Sequence, residues 1–380
     1  MRVTYILNQR FPTIKAYGVQ VAKTCAAFRR NGVDIRLLVP LRKRHREIMG
    51  IDPFELYGIT DKFRIVTLPS FDVAWIKIHS KIFFGLQQGF FACLVLLYMA
   101  RQRGFVYSRD QFSLYLLSFF KKNLFWEVHT LPAHIDSWLY RRLLRRLKGI
   151  IVISKGLQDV LVRQGYPKHK LLIAHDGIDL AEFNIPETQN QAREKLHLPR
   201  EKKIVMYIGH LFEWKGADVL VEASAYLSPD IQVVLGGGTS QDVTRMKSDY
   251  PDTTVRFEGF VQFSLLPLYL RAADILVIPN RKDGGTSEFY TSPLKLFAYM
   301  ASDKPIVASD LPSLREILNE TNGFFFRPGD GRALADVISH VLKNSDEART
   351  KAQQSFFDVR QYTWELRSRH IEAFMNQQAI

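Results

Sequence analysis

DILVIPNRKDGGTSEFYTSPLKLFAYMASDKPIVASDLPSLREIL, residues 274–318, is the stretch whose reading decides the fold. Its opening run, Ile275-Leu276-Val277-Ile278, is short, apolar and rich in β-branched residues, and reads as a buried strand. Pro279 stops that strand, and a loop rich in Asn, Asp, Gly and Ser follows. Pro293 suits the first turn of a helix, because it lacks an N–H and already carries a helical φ. The helix spans Leu294–Met300 and gives out before Ser302-Asp303-Lys304-Pro305, and Ile306-Val307-Ala308 is the next strand. Strand, polar loop, helix, strand is the unit of a parallel α/β sheet, which binds ligands outside the carboxyl ends of its strands. Free N–H groups and the positive dipole end at the helix start suit an anion such as phosphate.

The same pattern extends outward in both directions. Lys203–Ile208 is a strand leading into the loop Gly209–Gly216, GHLFEWKG, and Ile231–Gly238 is a strand running into three glycines. The first loop is not a Walker A loop, since the spacing to Gly-Lys-Ser/Thr is absent. At the other end, Arg2–Leu7 is a strand and Asn8–Tyr17 a polar loop. Gly18 opens a helix over Val19–Arg30 that stops at Asn31-Gly32, and Val33–Val39 is the next strand. No G-x-G-x-x-G follows the first strand, so a dinucleotide site of the usual kind is not supported. Residues 63–69, 105–108, 124–130 and 150–154 read as further strands, and the polar stretch Pro186–Arg200 as a hinge between two domains.

With 380 residues, 47% of them hydrophobic and 24% charged, the chain has ample material for two globular cores. Cys25 and Cys93 lie far apart in apolar stretches and read as reduced core residues of a cytosolic protein, not a disulfide framework or metal site. A formal charge of +14 points to an acidic partner, and net charge alone does not choose among nucleic acid, anionic lipid and diphosphate substrates. Nucleic acid is disfavoured because no base-reading module accompanies the charge. The run Leu41–Arg46, LRKRHR, is either a solvated loop or an acceptor-side or membrane-surface contact.

Two stretches raise the question of a membrane. Ile82–Ala100 carries no charge and is nearly long enough to span a bilayer, but Gln87 and Gln88 at its middle are costly in lipid. It is expected to be a buried or half-buried helix. Trp138–Lys148, WLYRRLLRRLK, is a basic amphipathic helix with Leu139, Leu143, Leu144 and Leu147 on one side. It suits both packing on the sheet and docking onto anionic lipid headgroups, which would make the chain peripheral on the inner face of a membrane.

Ser292 to Asp310, SPLKLFAYMASDKPIVASD, resembles the donor-nucleotide motif of the retaining GT-B glycosyltransferases of family 4, in the variant usually written SPLKxFEYMA..KPIVASD. The resemblance implies two Rossmann-like domains facing a cleft. The first is the acceptor-side domain, residues 1–182, joined by a C-terminal helix, about 361–380, that crosses back to it. The second, residues 183–360, is the nucleotide-sugar-binding domain. It implies donor-binding roles for Gly18, His210, Lys215, Glu288, Tyr290, Ser292, Leu294 and Lys295, and catalytic roles for His129 and Lys215. His129 closes Leu124–Thr130, similar to the family's E-x-H element, and Gly209–Gly216 is similar to its G-R-x-x-x-x-K-G loop, with His210 at the Arg position. Ala298 stands where the family has the Glu that binds the ribose, and Tyr290 where it has a second Glu, with Glu288 nearby.

The expected activity is transfer of a sugar, with retention, from a UDP-, GDP- or dTDP-linked donor to a glycan or lipid-linked acceptor. The setting would be cell-surface polysaccharide or glycoconjugate synthesis. No Asp-x-Asp occurs in the sequence, so no metal is expected, and positive side chains would neutralise the diphosphate. Ala298, Tyr290 and His210 motivate a second reading, a donor-incompetent scaffold. A sugar-nucleotide epimerase on the same fold is a third.

Overall fold

The computed structural model describes residues 1–43, 48–70, 81–132, 134–282, 285–289 and 294–379. Arg44 to Arg46 of the basic run, and Tyr290, Ser292 and Pro293 of the donor motif, lie outside the described residues. The chain forms two compact units, Met1–His175 with Trp364–Ile380, and Asp176–Thr363.

The first unit is built on seven parallel strands: β1 (Arg2–Ile6), β2 (Asp34–Pro40), β3 (Arg64–Leu68), β4 (Phe105–Ser108), β5 (Leu124–Val128), β6 (Gly149–Val152) and β7 (Leu171–Ile173). Their order across the sheet is β3-β2-β1-β4-β5-β6-β7. Every residue of β5 and β6 is buried, as expected where helices cover both faces of a parallel sheet. Their runs are accordingly apolar, with one exception, Glu127. The order of connection reverses between β1 and β4, the kind of point at which open α/β sheets bind ligands.

The second unit repeats the plan with six parallel strands: β8 (Lys203–Ile208), β9 (Ile231–Gly236), β10 (Arg256–Gly259), β11 (Ile275–Ile278), β12 (Ile306–Ser309) and β13 (Phe324–Phe326). Their order is β10-β9-β8-β11-β12-β13, so the reversal falls between β8 and β11. The deciding stretch is thus β11, loop, the helix Leu294–Met300, and β12, with Leu276, Val277 and Ile278 in register with Ile306, Val307 and Ala308.

Two sequence expectations need correction. Pro186–Arg200 is not a bare hinge, because Gln189–Lys195 is a helix with a capping box between Thr188 and Gln191. Its Arg193 is buried, donates to the Ala272 carbonyl at 3.0 Å and pairs with Asp274 at 2.6 Å, which ties the segment into the second unit. The units part between His175 and Asp176 and between Thr363 and Trp364, against the expected 182/183 and about 360/361. The cause is the pairing of the two crossing segments. Ile178 N–H donates to the Tyr362 carbonyl at 2.9 Å and bridges Thr363, so both crossings begin inside the second unit.

The C-terminal helix Trp364–Ala379 packs on the helix Ala16–Arg30, and its Ile371, Phe374 and Met375 enter the core of the first unit. Phe374 fits because Gly149, at the start of β6, has no side chain. A Cβ there would lie 2.6 Å from the Phe374 ring. Gly149→Ala is therefore expected to destabilise the protein by about 1–3 kcal/mol through overpacking, read as a lower urea midpoint.

Candidate functional site

In the second unit the loop after β8 is pinned against the end of β11. Gly216 adopts φ +67°, and a Cβ on it would collide with the Pro279 carbonyl, so glycine is required by both conformation and space. Arg281 N–H donates to the Trp214 carbonyl at 3.0 Å across the same junction. Two lysines far apart in sequence lie near this junction, and the charge of Lys215 is felt at Lys295. Lys215 Nζ lies 3.8 Å from the centre of the Trp214 ring, and Lys295 Nζ lies 4.1 Å from that of Tyr207. Lys295 Nζ is buried with no hydrogen-bond partner.

Neither ammonium has a carboxylate partner among the described residues, and both are desolvated. Burial lowers the Lys215 pKa to about 7. Burial also lowers that of Lys295 far below its usual value, and the charge of Lys215 adds to the effect. Two cations that would rather be neutral, at the point where the sheet reverses, form a site that an anion would complete.

The other expected donor residues have varied surroundings. His210 stacks on Phe212 with ring centroids 5.0 Å apart, and its carbonyl accepts from the Tyr207 hydroxyl at 2.6 Å. Leu294 opens the helix that carries Lys295. Glu288 is buried and pairs with Lys282 at 3.4 Å. Ala298 is buried in the apolar core, so no carboxylate occupies its place. Gly237, at φ +110°, lets the chain after β9 pass over the Gly209 carbonyl, where a Cβ would collide.

In the first unit, His129 directly follows β5, where its Nε2 lies 3.2 Å from Glu127 Oε1. Glu127 is the centre of a buried network that the sequence reading did not single out. It accepts from Arg367 at 2.6 Å, from Gln20 at 2.8 Å and from the Tyr5 hydroxyl, while Arg109 donates to Gln20 at 2.8 Å. Burial by itself would raise the pKa of Glu127, but opposing charges led by Arg367 hold it well below the usual range. Burial first, and then the Arg109 charge, lower that of His129 to about 4. The imidazole is therefore neutral at pH 7. It can hydrogen-bond a hydroxyl or phosphate oxygen but adds no formal positive charge.

Gly18 lies at the start of the helix Ala16–Arg30. The space a Cβ would fill is taken by Thr13 and Tyr57, whose hydroxyl accepts from Thr13 N–H at 2.7 Å and donates to the Thr13 carbonyl at 2.8 Å. The glycine lets the loop fold onto its own chain. A signal for the missed network was present in β5. A glutamate inside an otherwise apolar strand must be paired or neutral, so a buried partner such as an Arg was to be expected. Which Arg supplied it could not be read from the sequence.

Comparison with known proteins places these features in context. Residues 202–344 match the model of a family described as "Glycosyl transferases group 1". The amylovoran biosynthesis glycosyltransferase AmsK of Erwinia amylovora is 25% identical over 242 residues, 60% of this chain and 57% of that protein. The D-inositol 3-phosphate glycosyltransferase of Mycolicibacterium smegmatis is 27% identical over 223 residues, 54% of this chain and 47% of that one. The chain spans about half the length of the curated relatives it matches. Among solved structures, Anabaena Alr3699/HepE in complex with UDP and glucose superposes with a TM-score of 0.75 at 17% identity, covering 99% of both chains. WaaG, a glycosyltransferase involved in lipopolysaccharide biosynthesis, does so with a TM-score of 0.69 at 13% identity, covering 98% of this chain and 99% of its own. The chain thus has the two-domain GT-B fold of solved glycosyltransferases over its whole length, and within it, over residues 202–344, a domain similar to the group 1 glycosyl transferases.

Proposed function

We propose that the protein is a retaining glycosyltransferase that moves a sugar from a nucleotide-sugar donor to a glycan or lipid-linked acceptor. The observation that carries this reading is the pair Lys215 and Lys295, two desolvated cations without carboxylates at the β8/β11 reversal. A diphosphate placed there takes up both charges and receives no repulsion from a fixed carboxylate. A UDP-sugar is favoured by the likeness to HepE, which holds UDP and glucose. In the reaction the acceptor hydroxyl attacks the anomeric carbon as the bond to the diphosphate breaks. The leaving phosphate oxygen takes the hydroxyl proton, and the lysines stabilise the charge left on the diphosphate. Neutral His129 orients a sugar hydroxyl or phosphate oxygen by hydrogen bonding.

Calorimetric titration with UDP, GDP and dTDP in the absence of metal tests this directly. Selective binding of one nucleotide supports an active transferase and assigns the base. Absence of binding by all three moves the reading to a donor-incompetent scaffold, which the apolar burial of Ala298 favours.

Protonation gives a second test. With Lys215 near pKa 7, much of it is neutral in the free protein above that pH, and a bound diphosphate draws the proton back. Nucleotide binding at pH 8 is therefore expected to take up protons, seen as a dependence of the calorimetric enthalpy on the buffer's ionisation enthalpy. Buffer-independent enthalpy would mean that the diphosphate does not meet Lys215.

A further inference from the structure

The helix Lys81–Ala100 buries Phe91, Ala92, Val95 and Met99 yet also keeps a second apolar face in the open. Its inner face carries the two amides, Gln87 and Gln88, both buried, and Gln88 Oε1 accepts from Asn8 at 2.5 Å. Its outer face carries Phe83, Leu86, Phe90, Cys93 and Leu97, a stripe at alternating spacings of three and four over successive turns. All five are exposed, Leu97 by 70%. Only 33% of Phe83–Ala100 is buried, although the segment is long and apolar enough to cross a bilayer.

The neighbouring surface continues this character. The helix Gln111–Leu117 packs beside the stripe, and Phe119 and Phe120 just beyond it are exposed. Arg142, from the helix Trp138–Arg146, lies over the Phe119 ring with its guanidinium 4.0 Å from the ring centre, which makes the three helices one continuous face. Trp138 and Leu139 are also exposed there, so Leu139 does not join Leu143 and Leu144 in the core. The same three helices and the turns that follow them carry exposed Arg101, Arg103, Lys122, Arg141, Arg145 and Arg146. Between residues 81 and 148, Asp136 is the one exposed carboxylate among the described residues.

We infer that this face lies on an anionic lipid bilayer, with the Phe83–Leu97 stripe entering the acyl boundary of one leaflet and the arginines and lysines meeting its headgroups. The helix lies in the plane of the membrane. Crossing it would pull Gln87 and Gln88 out of the protein interior and into hydrocarbon. The charge selects lipid over a second copy of the chain, since two such faces would bring their arginine rims together without carboxylates to pair them. This proposal does not depend on glycosyl transfer.

Cys93 supplies the probe. It is exposed in the middle of the stripe, while Cys25 is buried, so an environment-sensitive NBD fluorophore attaches selectively at Cys93 of the full chain. Adding phosphatidylcholine vesicles that contain phosphatidylglycerol should shift its emission to the blue and raise its intensity. Vesicles of phosphatidylcholine alone should not. Serine at Leu86, Phe90 and Leu97 together should abolish the shift with an unchanged circular dichroism spectrum. The combined variant Arg141→Gln, Arg145→Gln and Arg146→Gln should weaken vesicle binding by about tenfold or more and keep the shift at saturating lipid. Three results would overturn the proposal. They are co-sedimentation with vesicles without a change at Cys93, no vesicle binding, and a blue shift without lipid that grows with protein concentration. The last would assign the face to self-association.

Discussion

Lys215→Ala is expected to lower kcat/KM for sugar transfer by about 10²–10³-fold, the loss typical of one preorganised group facing a developing negative charge. Stability should not fall with it. Lys215 is desolvated and has no carboxylate partner, so its charged form costs folding energy. Its pKa near 7 in the folded protein lies below the 10.5 of an exposed lysine. At pH below about 7 the cost is fully present. As pH rises from there towards 10.5, the folded protein releases the proton more readily than the unfolded chain, and stability increases. The variant lacks this gain. Its melting temperature should match or exceed that of the parent at pH 6, and its pH profile should be flatter between pH 7 and 9. Unchanged turnover would remove Lys215 from the diphosphate site, while a large drop in melting temperature would mean that its contact with Trp214 holds the loop.

Arg367→Met should be the most destabilising single substitution in the first unit. Its guanidinium donates to Glu127, to Thr24 at 3.2 Å and to the His175 carbonyl at 3.0 Å, and its side chain is 3% exposed against 0% for Glu127. Removing it leaves a buried carboxylate without its main counter-charge, at a cost of about 3–5 kcal/mol. Replacing both partners, as in Arg367→Met with Glu127→Leu, should restore most of the loss, because the desolvation penalty disappears with the pair. Urea denaturation of the four proteins of this cycle measures the coupling. The pH dependence follows from the lowered pKa of Glu127. In the parent its contribution is present above the usual carboxylate range and is lost only as pH falls well below it. In Arg367→Met the carboxyl should instead take up a proton, so that stability declines as pH rises through neutrality. A change of less than about 1 kcal/mol in Arg367→Met would show that Gln20 and Tyr5 suffice to hold Glu127.

This network also holds the helix Trp364–Ala379 on the first unit. The C-terminal helix carries Arg367 to Glu127, and Ser368 accepts from Asn31 at 2.7 Å. The residue preceding the candidate imidazole by two is thus held by a side chain 240 positions later. Without that pairing, β5 would end in a desolvated charge next to His129.

Most local elements of this protein were legible in its sequence, although β7, β10 and β13 were not read from it. Strands of three to seven residues, the proline that ends β11 and the glycine at Gly216 act over short range, through backbone sterics and the burial of apolar runs. The second-domain motif and its two lysines could be named from the sequence for the same reason. Tertiary structure alone decided three things. It joined Lys215 and Lys295, because their proximity depends on two loops meeting at the β8/β11 reversal. It supplied Arg367 to Glu127, because a buried charge shows in sequence that it needs a partner but not which one. It also turned Gln87 and Gln88 of the Lys81–Ala100 helix inward and Phe83, Phe84 and Phe90 outward, because the direction of a helix face is set by the surface it packs against.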